Sequence, residues 1–180
     1  MKSTVITKWY EKDAYALAYC KKQIWEETYR GIYPDTKIDQ YQMEEQMAKR
    51  RAYLKQEEVF LYGGFEWQEL IAYVSYGKAC VPFDHDEYEI GLLNIRKAYR
   101  KQGLGKWLFL FACERLWQKT DHFFVSCNRY NENARKFYEH VGGVCMQVDE
   151  WQQDRSKVQV KYHFEKNAVS KIECTPLTFK

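Results

Sequence analysis

The sequence predicts a single α/β domain: a mixed, mostly antiparallel central sheet of about seven strands, flanked by helices on both faces. Three observations lead there. Apolar periodicity switches between the two-residue and 3.6-residue repeats in the order β–α–α–β–β–β–α–β–α–β–β. The three middle strands follow one another through short turn-rich links, as an antiparallel meander does, whereas the strand–helix–strand that follows crosses over and returns parallel. The chain has 180 residues, 46% apolar and 17% aromatic, which is enough for one core, and no repeat or linker divides it. The expected organisation is one domain over residues 1–166 and a C-terminal tail over 167–180.

Ser3 to Lys8 alternates weakly and gives a first strand. Asp13 to Tyr29 places Ala14, Leu17, Ile24, Trp25 and Thr28 at helical spacing. Gly31 and Pro34 interrupt it, and Asp35 N-caps a second, charge-rich helix running toward Leu54. Glu58 to Tyr62 reads as a strand, Gly63 to Gln68 as a turn region and Leu70 to Tyr76 as the hairpin partner. Tyr88 to Ile95 is a further strand, with Leu92, Leu93 and Ile95 suggesting burial on both sides near its end. Gly103 to Lys119 is the strongest helix, lined by Leu104, Leu108, Phe111, Ala112 and Leu116. His122 to Cys127 is a short apolar strand, and Asn133 to His140 a short helix ending at Gly142-Gly143. Val144 to Val148 and Val158 to Phe164 form a closing hairpin, and the tail has little periodicity.

Composition narrows the function classes. Six scattered cysteines contain no CxxC pair, so neither a redox motif nor a metal site is expected, and Cys113 and Cys127 sit in apolar patterns as small hydrophobes. The longest apolar runs fall far short of the ~20 residues that cross a bilayer, and no apolar signal segment follows Met1. The expectation is a cytoplasmic protein without membrane partners. A net charge of +3 is too mild to imply nucleic acid, and no nucleic-acid reader motif is present. Charge does change sign sharply, from Asp84, Asp86, Glu87 and Glu89 to Arg96, Lys97, Arg100, Lys101 and Lys106.

Between that acidic strand and the strongest helix lies Arg100-Lys101-Gln102-Gly103-Leu104-Gly105-Lys106. Such a segment is built to hold an anion. First-turn amides have no intrahelical acceptor, the helix dipole adds roughly half a positive charge, and glycines admit a phosphate close to the backbone. It is not a P-loop, which needs Gly at 100 and Ser or Thr at 107, where Arg100 and Trp107 stand. It also lacks the third glycine of the dinucleotide pattern, since position 108 is Leu.

Arg100-x-x-Gly103-x-Gly105 resembles the Arg/Gln-x-x-Gly-x-Gly/Ala signature of the GCN5-related N-acetyltransferases. Asn131-x-x-Ala134-x-x-Phe137-Tyr138-x-x-x-Gly142 resembles that family's second block and follows the next strand, as it does there. Leu93-Asn94-Ile95 is similar to the family's Leu-x-Val before the loop, and Trp25 to Gly31 to a stretch of bacterial members of unassigned substrate. One departure is Gly143, where the family usually has Phe. The resemblance covers about Ser3 to Phe164 and implies the acyl-CoA N-acyltransferase fold with acetyl-CoA as cosubstrate. Backbone amides from Gln102 to Lys106 would hold the pyrophosphate, with Arg100 and Lys101 beside them. Main-chain groups of the Leu93 to Ile95 strand would pair with the pantetheine arm at a bulge. Asn131 would contact that arm or fix the helix covering it, and Tyr138 would protonate the leaving thiolate.

Amine attack on a thioester needs a neutral amine, yet an alkylamine of pKa about 10.4 is almost wholly protonated at pH 7. Glu89 is the candidate proton acceptor, directly or through water; it precedes Arg100 by the interval seen for the catalytic glutamate of the family's histone-modifying branch. His85 and His122 are weaker acid/base candidates, His122 reading as structural. The acceptor is a primary amine of a small molecule or protein, cationic because the acidic stretch would attract one. Alternatives are an inactive acyl-CoA-binding regulator and, less favoured, a nucleic-acid-binding module. Oligomeric state is open between monomer and homodimer.

Overall fold

The structure, a computed structural model, describes residues 5–67, 69–150 and 153–169. The chain runs through β1 (Val5–Lys8), α1 (Ala14–Tyr29), α2 (Asp35–Asp39), α3 (Met43–Leu54), β2 (Val59–Glu66), β3 (Glu69–Phe83) and β4 (Asp86–Ile95). It continues through α4 (Leu104–Leu116), β5 (His122–Asn128), α5 (Glu132–His140), β6 (Val144–Val148), β7 (Gln159–Glu165) and α6 (Lys166–Val169). The strands form one seven-stranded sheet in the order β1-β2-β3-β4-β5-β7-β6, antiparallel except where β4 meets β5. The expected fold class is what the chain adopts. Among the described residues no helix is long and apolar enough to cross a membrane.

Two apolar layers sandwich the sheet. On one face Leu108, Phe109, Ala112 and Leu116 of α4 and Tyr138 of α5 pack on Val74, Ile90, Phe123, Val125, Tyr162 and Phe164. On the other, Leu17, Cys20 and Ile24 of α1 pack on Trp9, Leu61, Leu70 and Tyr73. Tyr73 and Val74 are adjacent yet belong to different layers, the alternation that a strand buried on both faces requires.

Several elements differ from the expectation, each for a local reason. The second helix is broken at residues 40–42 into α2 and α3. The break lets Tyr41 turn inward, where its buried hydroxyl donates to the Ala18 carbonyl at 2.7 Å. Gly63-Gly64 is no turn: β2 runs through it, because Trp9 lies so close that a Cβ at Gly63 would stand 2.4 Å from its Nε1. β3 runs on to Phe83 and joins β4 by a tight hairpin in which Asp84 is left-handed (φ 53°). The acidic stretch is thus partly strand. At the C-terminal end of α5, Gly142 is left-handed (φ 86°) and closes the helix. Gly143 has no room for a larger residue, since its Cβ would meet Phe164 at 2.6 Å; Phe164 fills that space from β7.

Burial of β4 is also less than expected. Leu92, Leu93 and Ile95 are only half-buried. The cause lies in pairing: β4 and β5 are in register at Glu89↔Phe124 alone, so beyond that point the strands part.

Candidate active site

Beyond Glu89 the edge of β4 facing β5 carries backbone groups without a strand partner. Their direction follows from register. The Arg96 amide donates to the Ile71 carbonyl at 2.8 Å, and Asn94 is opposite Tyr73, so even-numbered residues here point at β3. Backbone direction alternates along a strand, so Leu93 and Ile95 turn their amides and carbonyls into the gap. Asn94 is therefore a correction: its main chain serves β3 and not the slot. The register between β3 and β4 also slips, Ser75 facing Leu92 but Gly77 facing Glu89. This is a bulge with its extra residue on β4, around Ile90-Gly91, and bulges re-aim neighbouring groups.

The bulge gathers three oxygens. A Cβ on Gly91 would lie 2.8 Å from the Tyr53 hydroxyl, 3.1 Å from Glu89 Oε1 and 3.4 Å from Ser75 Oγ. Tyr53 and Ser75 share a hydrogen bond of 2.7 Å. Burial raises the pKa of Glu89, and Lys161 opposes that rise. A carboxylate whose proton affinity is raised is a better base near neutral pH.

At the other end of the slot a short 3₁₀ turn (Lys97–Tyr99) leads to the α4 N-terminus. Lys101 and Gly103 are both left-handed (φ 59° and 84°), a pair of reversals that turns successive amides outward. Gly103 caps α4 without a side-chain acceptor, and no acidic residue lies in the first turn. Among the described residues the amides of Gln102, Gly103, Leu104 and Gly105 make no hydrogen bond. Gly105 lets three elements meet, since its Cβ would stand 3.0 Å from Ile95 Cδ1 and 3.8 Å from Phe137. The free amides therefore open directly off the unpaired edge of β4, beside α5.

The neighbouring cations divide into two groups. Arg100 does not face the loop: its Nε donates to the Ile95 carbonyl at 2.9 Å and its Nη2 to Thr28 Oγ1 at 2.5 Å. Its role as an anion contact is corrected to that of a pin, fixing the end of β4 against α1. Arg96 is likewise held, by Glu27 at 2.8 Å, Gln23 at 2.6 Å and Glu69 at 2.7 Å. Lys97 and Lys101 stay exposed. Asn131 N-caps α5, its Oδ1 accepting from the Ala134 amide at 3.2 Å, and its side chain also meets the Tyr29 hydroxyl. Of its two expected roles the observed one is fixing the helix. Thr28 and Tyr29, at the end of α1, thus tie the two sequence blocks together.

A family model described as "Acetyltransferase (GNAT) family" matches residues 22–143, from α1 to the end of α5. The chain belongs to the GNAT acetyltransferase family. No curated protein sequence matches it. Solved structures agree on the fold. The PaiA N-acetyltransferase of Thermoplasma acidophilum, determined in complex with coenzyme A, is 19% identical over 91% of this chain and 99% of its own, with a TM-score of 0.70. An acetyltransferase of Thermus thermophilus is 17% identical over 92% and 99%, at 0.66. A GNAT-family acetyltransferase of Streptococcus pneumoniae is 17% identical over 89% and 97%, at 0.64.

Within this GNAT domain Tyr138 is the most deeply set of the expected catalytic residues, only 5% exposed among Phe137, Tyr162 and Phe164. Burial lifts its phenol well above the usual range, keeping the proton on it. Among the described residues its hydroxyl has no hydrogen-bond partner. Three features were not foreseen from sequence: Tyr53, Ser75 and the gathering of histidines around Asp86. Tyr53 lies on a mostly polar helix face and Ser75 in an apolar run, so neither carries a local signal. The Asp86 carboxylate is 1% exposed and hydrogen-bonds to His122 Nδ1 at 2.6 Å and His163 Nδ1 at 2.7 Å.

Proposed function

We propose that the chain is an acetyl-CoA-dependent N-acetyltransferase that passes the acetyl group to a primary amine by direct attack in a ternary complex. The observation that carries this reading is the run of amides from Gln102 to Gly105 that have no partner among the described residues, continuous with the edge of β4 that no strand pairs. A pyrophosphate fits such a terminus because it supplies acceptors to donors that have none, and the dipole favours its charge. The amide-rich arm of the cosubstrate fits the Leu93 and Ile95 edge by the pairing that joins two strands. That the Thermoplasma relative was determined with coenzyme A supports the same assignment.

The cosubstrate supplies an activated acyl carbon and a thiolate leaving group. This chain's residues supply the rest. Glu89, at the bulge, accepts the proton that the attacking amine gives up, directly or through water, as the C–N bond forms. A backbone amide of β4 donates to the carbonyl oxygen as it gains charge. Tyr138 gives its proton to sulfur as the C–S bond breaks, and the proton taken up by Glu89 passes through solvent back to the Tyr138 phenolate, which restores both groups. Asp84 is engaged by His85 and Asp86 by two histidines, and Glu89 is the carboxylate of the stretch that stands at the bulge, where it attracts a cationic amine.

The test is thiol release from acetyl-CoA across polyamines, aminoglycosides, lysine peptides and acidic amino acids. Turnover with a cationic amine, lowered in Glu89→Gln, is expected. A melting temperature raised by acetyl-CoA while every amine fails to discharge it would replace the enzyme with a binding protein. A preference for acidic amino acids would overturn the acceptor class alone.

A further inference from the structure

The chain has four histidines, and three of them converge on one buried carboxylate at the start of β4. Ring centroids lie 5.0 Å apart for His85 and His122, 5.4 Å for His85 and His163, and 6.0 Å for His122 and His163. They come from the β3–β4 hairpin, the first residue of β5 and β7, three places separated in sequence. An open cavity of about 340 Å³ lies against them, lined also by Asp121, Glu165 and Lys166.

We propose that His85, Asp86 and His122 bind one divalent d-block cation such as Zn²⁺. One ligand atom from each lies within 4.8 Å of the other two. Ligand bonds of about 2.0–2.2 Å in a tetrahedral site separate donor atoms by roughly 3.4 Å. The residues thus surround the right volume, with His85 needing to move most. It is able to, being exposed at the hairpin tip, where its hydrogen-bond partner among the described residues is Asp84 at 3.0 Å. Asp86 Oδ1 and His122 Nδ1, at 2.6 Å, are too close to serve one ion as they stand. The ion takes the place of their shared hydrogen, which moves to the other nitrogen of the His122 ring. His163 supplies the outer contact: its Nδ1 holds the second oxygen of Asp86 at 2.7 Å, fixing the carboxylate as metal ligands are usually fixed. The fourth position opens on the cavity and takes water. Two imidazoles and one carboxylate suit Zn²⁺, Co²⁺ or Ni²⁺ better than Mg²⁺ or Ca²⁺. The site ties the first residues of β4 and β5, just before they part at Glu89 and Phe124.

The test uses the full chain stripped with chelator and free of coenzyme A, whose thiol competes for zinc. Calorimetry with Zn²⁺ and the visible bands of Co²⁺ are read for wild type, His85→Ala, His122→Ala and a Cys80→Ser/Cys145→Ser/Cys174→Ser control that removes the two thiols exposed among the described residues and the cysteine of the C-terminal segment. One ion per chain is expected, weakened at least tenfold in each histidine variant and unchanged in the control. His85→Ala is decisive because an exposed turn residue leaves folding intact. Absence of Zn²⁺ binding, equal binding by His85→Ala, or loss in the cysteine control would overturn the site and leave a hydrogen-bonded structural triad. Acetyl-transfer assays do not enter this test, so its failure and that of the proposed activity are separable.

Discussion

Gly91→Ala probes the bulge with one carbon. The new Cβ would stand 2.8 Å from the Tyr53 hydroxyl, about 0.6 Å inside ordinary contact of about 3.4 Å. The phenol has to retreat, and doing so breaks its 2.7 Å hydrogen bond to Ser75. Ser75 is 0% exposed, so its hydroxyl is left unsatisfied at a cost of about 1–3 kcal/mol. Removing a glycine from the unfolded chain returns roughly 0.5 kcal/mol. The net loss is about 1–2 kcal/mol, or roughly 2–8 °C in melting temperature for a domain of this size. Glu89 Oε1, at 3.1 Å, has to give by a few tenths of an ångström. If a 1 Å misplacement costs about 100-fold, kcat/KM falls about tenfold. Scanning calorimetry and the thiol-release assay read both effects. In a Tyr53→Phe background the clash is gone, so the same substitution should cost under about 0.5 kcal/mol, a coupling of at least about 0.5 kcal/mol. An unchanged melting temperature for Gly91→Ala, or equal losses in both backgrounds, would refute the packing argument.

Three further outcomes follow from the same geometry. Glu89→Gln lowers kcat about 10²–10⁴-fold in the thiol-release assay, while its stability advantage grows with pH. The sign follows from the raised pKa: the wild type loses stability as pH rises through that ionisation, and glutamine does not. Tyr138→Phe removes a hydroxyl without a partner among the described residues, so melting should shift by under about 0.5 kcal/mol while kcat falls and the KM for acetyl-CoA stays; unchanged kcat assigns Tyr138 to the core. Burial, aided by Arg50, Lys49 and Lys37, pushes the Lys21 amine down to about 7. Its charged form is therefore disfavoured in the fold. Stability should rise with pH above about 7, and that rise should be absent from Lys21→Met in denaturant titrations, whatever the loss of the 2.7 Å bond to Gln46 costs at every pH.

The order of elements along the chain and the glycine-bearing start of α4 were legible because their signals are local. Alternation in Val158–Phe164, the apolar face of α4 and the glycines at 103 and 105 each work within a few residues. The break between α2 and α3 was not, because it exists to seat Tyr41 under Ala18, a partner 23 residues away. Gly63-Gly64 misled for a similar reason: the composition of a turn was needed for the indole of Trp9. Leu93 and Ile95 looked like core because hydrophobicity does not reveal that a strand has lost its neighbour. Arg100 illustrates the limit at the site. Its place in the loop suggested an anion contact, whereas its guanidinium reaches back to Ile95 and Thr28. The histidines around Asp86 come from positions 36 and 77 residues along the chain, a separation no spacing rule reads.

Diffraction from the protein crystallised with coenzyme A tests the central claim directly. Phosphate oxygens should lie about 2.7–3.2 Å from the amides of Gln102 to Gly105, with the pantetheine arm beside Leu93 and Ile95. Coenzyme A bound elsewhere, with the first turn of α4 bare, would contradict the account.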